Sequence, residues 1–232
     1  MAKETTEIAT TQTYDAAQYQ NKDLGDAAAA AIAGPGFMPR LQLMTGRTAV
    51  CQKGDFPPNN YALVDGPNLI DLGKNPDIIA FCWRPVAMDT SGEDFVMCLD
   101  PKFDNTVDPP QATGLFLEIM KKSKGANSGC MYGPQFLCWV ASKKAFCTFF
   151  FGSNSSRKEA PKLQARLCQP TTLGAREITS KKYASWYVPD IKACSTPFDG
   201  PNPADVARLA NEFNNPPEEA ELVAEEEGER ER

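Results

Sequence analysis

From residue 37 to about residue 197 the chain alternates short apolar segments with Gly, Pro, Asn and Asp, the rhythm of a β-rich body. Residues 41–44, 61–64, 78–83, 95–99, 136–141, 145–151, 163–168 and 183–188 read as strands. Ser142-Lys143-Lys144 is a three-residue hairpin connection between two of them. Two segments carry a helical period instead. Residues 114–124 end in lysines, which suit a helix C-terminus. Residues 203–213 open on Asn202 as cap and Pro203 at the first position, with Val206, Leu209, Ala210 and Phe213 on one face. The pattern predicts a mainly β or α+β fold: an OB-like barrel or a sandwich with a few peripheral helices.

The two ends of the chain depart from this rhythm. Residues 1–36 are rich in Thr, Gln and Ala. Alanine favours helix over part of residues 14–32, and Gly34-Pro35-Gly36 stops it, so a flexible arm is expected, or one that docks on a neighbouring subunit. Residues 37–215 form a single β-rich domain on this reading. After Asn214-Asn215-Pro216-Pro217 the text becomes EEAELVAEEEGERER, and residues 216–232 are expected to be a disordered acidic tail.

Composition then narrows the chemistry. With 42% hydrophobic and 23% charged residues in 232, the chain can bury a sizeable core. No apolar run approaches the ~20 residues that cross a bilayer, and the opening MAKETTEIATT lacks the pattern of a secretory signal. Histidine is absent, which removes Ser-His-Asp and Cys-His catalysis and His-ligated zinc. The eight cysteines form no C-x-x-C pair, and several stand inside apolar segments, as free core thiols do. A cytoplasmic protein without disulfides, zinc or other cofactor is expected.

Charge changes the picture more. The net charge of -6 conceals a basic block over residues 119–194, with thirteen Lys and Arg against Glu159, Glu177 and Asp190. The same block holds ten aromatic residues. Cations neutralise phosphates while aromatic faces stack unpaired bases, so this mixture is what a single-strand binder needs. The candidate contacts are Lys121, Lys122, Lys124, Lys143, Lys144, Arg157, Lys158, Lys162, Arg166, Lys181 and Lys182, with Trp139, Phe150, Tyr183, Trp186 and Tyr187 as stacking platforms. Core packing competes for every one of these aromatics; Trp186 and Tyr187 are better platforms than the Phe149-Phe150-Phe151 run. Residues 152–162 read as a polar loop presenting amides and cations to phosphate.

No phosphate loop and no dinucleotide fingerprint is present. Asp100, Asp104 and Asp108 have calcium-loop polarity but lack its glycine and final glutamate. Three stretches, Pro39-Arg40-Leu41-Gln42-Leu43-Met44, Ala80-Phe81-Cys82-Trp83-Arg84-Pro85 and Asn127-Ser128-Gly129-Cys130-Met131-Tyr132-Gly133-Pro134, resemble uncharacterised proteins of tailed bacteriophages. The architecture, a β-rich basic body followed by an acidic tail, is similar to phage and bacterial single-stranded DNA-binding proteins. That resemblance implies a non-catalytic single-stranded DNA (or RNA) binder in phage DNA metabolism, in the host cytoplasm, with the tail competing for the basic surface and recruiting replication proteins. The alternative is a virion or host-interaction protein; an enzyme with a carboxylate site ranks third.

Overall fold

The computed structural model describes residues 38–215 apart from 47, 66–67, 92–95, 100–101, 105, 107–110, 126–127, 180–184 and 197; at 102–104 and 111–112 only the backbone is described. The arm, the acidic tail, Asp100, Asp108, Lys181, Lys182 and Tyr183 thus lie outside the described residues, as does the side chain of Asp104.

The fold is mainly β. Nine strands make one mixed sheet, curled into a half-barrel: β11 (Trp186–Ala193), β10 (Pro170–Ile178), β4 (Asp77–Asp89), β8 (Cys130–Val140), β9 (Ala145–Phe150), β1 (Arg40–Leu43), β2 (Tyr61–Asp65) and β3 (Asn68–Gly73) in order, with β5 (Val96–Cys98) also on β4. Strands β6 (Lys102–Asp104) and β7 (Gln111–Thr113) form a separate ribbon. Among the described residues β1 and β9 pair in parallel, and the other pairings in the large sheet are antiparallel.

Alternation along β4, β8 and β9 fixes the two faces of the sheet. On the concave side Ile78, Ala80, Phe136, Cys138, Val140, Cys147 and Phe149 meet Leu41, Tyr61 and Leu63 from β1 and β2, and Leu173 and Ile191 from β10 and β11. Helix α4 (Ala160–Gln164) plugs this core with Ala160 and Leu163. The curl brings β2 within reach of β10: the buried Tyr61 hydroxyl donates to the Gly174 carbonyl at 2.8 Å. Burial, with Asp190 adding to it, pushes the Tyr61 pKa up, so the phenol keeps its proton and stays a donor.

Helix α5 (Pro203–Asn214) covers the convex side, where Val206 packs with Ile79, Phe81 and Cys168. The Asn202 side chain accepts from the Ala204 amide at 2.9 Å, as its capping position requires. Short helix α1 (Ala49–Gln52) covers β2, its Val50 and Cys51 packing with Met44 and Phe56 against Ala62. Helix α2 (Gly114–Lys122) lies on the concave side at the far end of β4 and β8, where Phe116 and Ile119 meet Ala87 and Cys130.

Three sequence expectations need correction. Residues 163–168 are not a strand. Pro161 starts α4 and Leu163 and Leu167 recur at helical spacing, so the segment ends in helical turns. Residues 152–162 are not a loop but α3 (Asn154–Arg157) and α4, with a reciprocal Ser153–Ser156 capping box at the start. The strand expected at 183–188 runs instead over Trp186–Ala193.

Candidate nucleic-acid interface

Strand β4 is the key to the surface. One edge pairs with β8 over nearly its whole length, whereas the other pairs with β10 at Asp77–Ile79 and with β5 at Ala87–Asp89. Between them no strand of the described residues pairs with this edge. Cys168 covers its start, donating its amide to the Ala80 carbonyl at 2.7 Å. Pro85 accounts for the rest. It stands opposite Pro134 on β8, a pair that cannot exchange amide hydrogen bonds, so the backbone of each turns outward. Pro134 turns toward β9 and accepts from Phe151 at 3.0 Å. Pro85 turns toward the open edge and has no N–H to offer a further strand.

The open edge leaves a notch in the concave face. Its floor is Trp83 and Pro85, side by side with Phe136 and Pro134 in the register. Trp83 is 43% exposed, unusual for a central strand. Core packing under α4 ends at Ala80, and packing under α2 begins at Ala87. The walls are therefore α2 on one side and α3–α4 on the other. Tyr132 joins them at the back, packed toward α2 while the Arg157 guanidinium sits 3.8 Å from its ring centroid.

Both walls bear cations from the basic block, but many are engaged structurally. Arg157 donates to the carbonyls of Tyr132 (2.7 Å) and Gly152 (2.6 Å) and to the Asn154 side chain. Lys162 and Arg176 both pair with buried Glu159, the former at 2.6 Å. Arg166 holds Thr171 and the Pro170 carbonyl. Lys122 pairs with Asp89 at 3.2 Å. Exposed Lys121, Lys124 and Lys158 form no ion pair among the described residues; the first two stand at the C-terminal end of α2 and the third between α3 and α4. Lys143 and Lys144 are equally unpaired but sit at the β8–β9 turn, the opposite end of β8 from α2. The turn is one residue longer than expected, a 3-10 turn over Ala141–Lys143 closed by Lys144 in the left-handed region.

The aromatic candidates divide too. Trp139 packs edge-on against Phe146 at 4.9 Å on the convex side, and its indole N–H is buried without an acceptor among the described residues. Phe150 is half-buried, beside Gly152. Trp186 is half-buried and donates to the Ser155 hydroxyl at 3.0 Å, so it braces α3; Tyr187 is half-buried beside it on β11. Trp83, which lies outside the basic block and so escapes the charge pattern, is the large aromatic most open to a ligand on the concave side among the described residues. Its signal was a tryptophan followed by Arg84-Pro85 in an otherwise buried run.

A second depression, of about 300 Å³, lies beyond α2 and is lined by Thr90, Ser123, Gly125, Ser128, Gly129, Cys130 and Met131. The Thr90 hydroxyl donates to the Gly129 carbonyl at 2.8 Å and the Ser123 hydroxyl to the Met120 carbonyl at 2.7 Å, so these donors point inward and are not offered to an anion. The adjacent Asp89 carboxylate accepts from the Ser91 hydroxyl at 2.5 Å and the Ser91 amide at 2.9 Å. Those bonds, with Cys130 and Lys122, hold its pKa well below the ordinary carboxylate range. Among the described residues no three Cys, Asp or Glu side chains group as a metal site requires, and no helix is long and apolar enough to cross a membrane.

All eight cysteines are free thiols in the structure. Burial pushes Cys82 up to about 12 and raises Cys138 and Cys147 further, so these thiols stay protonated and inert near neutral pH. Comparison of the chain with protein-family models, curated proteins and solved structures finds no match.

Proposed function

We propose that the protein binds single-stranded nucleic acid, without catalysis, across the notch in its concave face. The observation that carries this reading is Trp83, exposed on a sheet floor between two helical walls that present unpaired lysines. A base stacks on the indole while Lys121, Lys124 and Lys158 neutralise the flanking phosphates. The curled sheet then serves as an OB-like barrel does, with a strand surface rather than a deep pocket as the platform. The setting suggested by the resemblance, phage DNA metabolism in a host cytoplasm, belongs to the same proposal.

The test is a fluorescence titration of full-length protein with a labelled oligonucleotide at two salt concentrations. Trp83→Ala should weaken binding about tenfold to a hundredfold, the value of one stacked base, without lowering thermal stability. Each neutralised phosphate should contribute about -0.7 to the slope of log affinity against log salt. Absence of single-strand binding at low salt in a protein lacking residues 216–232 would remove the proposal.

One observation favours a second reading, a virion or host-interaction protein. Edge strand β3 leaves Leu69 and Ile70 on opposite faces, both exposed, with no strand beyond it in the sheet among the described residues. If that edge is the working surface, Leu69→Lys should disrupt partner binding and Trp83→Ala should leave it unchanged.

A further inference from the structure

The convex face of the same sheet carries an arrangement unrelated to the notch. Met97 on β5, Met88 on β4 and Met131 on β8 stand directly opposite one another in the register, a row of three thioethers across three adjacent strands. The neighbouring positions Ala87 and Tyr132 face the concave core, so the methionines point to the other side. None of the three belongs to a packed core cluster; Met131 is 41% exposed, and Met88 and Met97 are half-buried. Helix α5 stops short of them, its last turn resting on Arg84 through the Phe213 ring at 4.1 Å.

A row of methionine is an odd choice for a sheet surface, where β-branched and aromatic residues pack better. Opposed side chains start about 5 Å apart at Cβ, and the outer two about 10 Å apart. Each thioether turns freely about its side-chain bonds, so the outer sulfurs can swing inward over Met88 and all three can converge on one point. Asp89, the described carboxylate next to Met88, belongs to the concave side. Three neutral sulfurs with no carboxylate suit a soft monovalent ion and repel none of its kin by charge, whereas calcium, magnesium and zinc prefer oxygen, nitrogen or thiolate. We infer that Met88, Met97 and Met131 form a trigonal thioether site for copper(I).

Silver(I) is the probe, since it shares this preference and has no accessible redox step. The full chain, labelled with carbon-13 at its methionine methyls, is titrated with silver nitrate at mildly acidic pH. The accessible cysteine thiols, which bind silver(I) more tightly than thioethers even in mild acid, are first blocked with N-ethylmaleimide, which leaves thioethers untouched. The Met88, Met97 and Met131 methyl signals should shift together and saturate at one equivalent, leaving the other four methionines of the seven unmoved. Met131→Leu, tolerable at an exposed position, should abolish the shift of the remaining two, and Met120→Leu on α2 should preserve it. Shifts at fewer than three of the row, saturation only beyond one equivalent, or persistence in the Met131→Leu protein would each overturn the site.

Discussion

Gly133 shows how one missing side chain shapes the concave surface. Its φ is 157°, and a Cβ there would collide with the Phe151 carbonyl oxygen and lie 3.1 Å from Cγ of Arg157. The backbone contact cannot yield as a flexible side-chain tip could, and the Arg157 stem lies over the same spot before its head closes on Tyr132. Gly133→Ala should therefore cost about 1–3 kcal/mol, as overpacking does, read as a lower urea midpoint with an unchanged slope. Asp89 gives a prediction in pH. Its folded pKa is depressed, so its contribution is fully present above the unfolded value near 4 and is lost as pH falls toward the folded value. Relative to Asp89→Asn, the native protein should keep a constant advantage above about pH 5 and lose it progressively in acid. A gap that grows on acidification would contradict the hydrogen-bond assignment at Ser91.

Among the elements, the Tyr61–Gly174 bond joins strands on opposite sides of the half-barrel. Tyr61→Phe removes this bond while the Gly174 carbonyl keeps its ladder partner on β11, so it should cost about 0.5–1.5 kcal/mol by chemical denaturation and loosen the β10–β11 ribbon in hydrogen exchange. A change confined to β2 would show that the curl does not depend on this contact. The sequence made β1, β2, α2 and α5 readable because each has local signals: a short apolar run in the strands, terminal lysines in α2, and in α5 a cap followed by apolar positions at helical spacing. Strand β3 was not readable, since Asn68, Leu69, Ile70 and Asp71 are all exposed and an edge strand has no buried face to set a period. The true length of β4 was hidden by Pro85, which usually ends a strand and here faces an edge with no partner. The notch is a consequence of that same proline. Which lysines remain unpaired was equally beyond the sequence, because the partners are remote: Glu159 meets Arg176 on β10, and Lys122 meets Asp89 across 33 positions.

For the whole molecule, the distribution of charge matters more than its sum. Residues 218–232 carry eight glutamates and two arginines, and without them the rest of the chain is neutral overall while its 119–194 block keeps a charge of +10. The described chain ends at Asn215, just past Phe213 and Asn214. The Phe213 carbonyl accepts from Arg84, the residue next to Trp83 on β4, and Asn214 hydrogen-bonds Cys82 on its other side. The acidic segment thus starts on the convex face of β4, directly behind the notch. Its seventeen residues span up to about 55 Å when extended, enough to reach either wall. A polyanion tethered so close has an effective concentration around millimolar at the lysines, sufficient to oppose a weak electrostatic ligand. Exposed charges are screened beyond about 10 Å at 0.1 M salt, so the opposition should fade as ionic strength rises. Truncation after Asn215 should tighten binding of a single-stranded oligonucleotide at low salt, converge with the full chain at high salt, and leave the melting temperature unchanged. The same titration on Trp83→Ala in both backgrounds separates the two effects: stacking loss should be equal in each, because the indole is neutral. Equal affinities of the long and short chains at low salt would mean that the acidic segment does not compete for the notch.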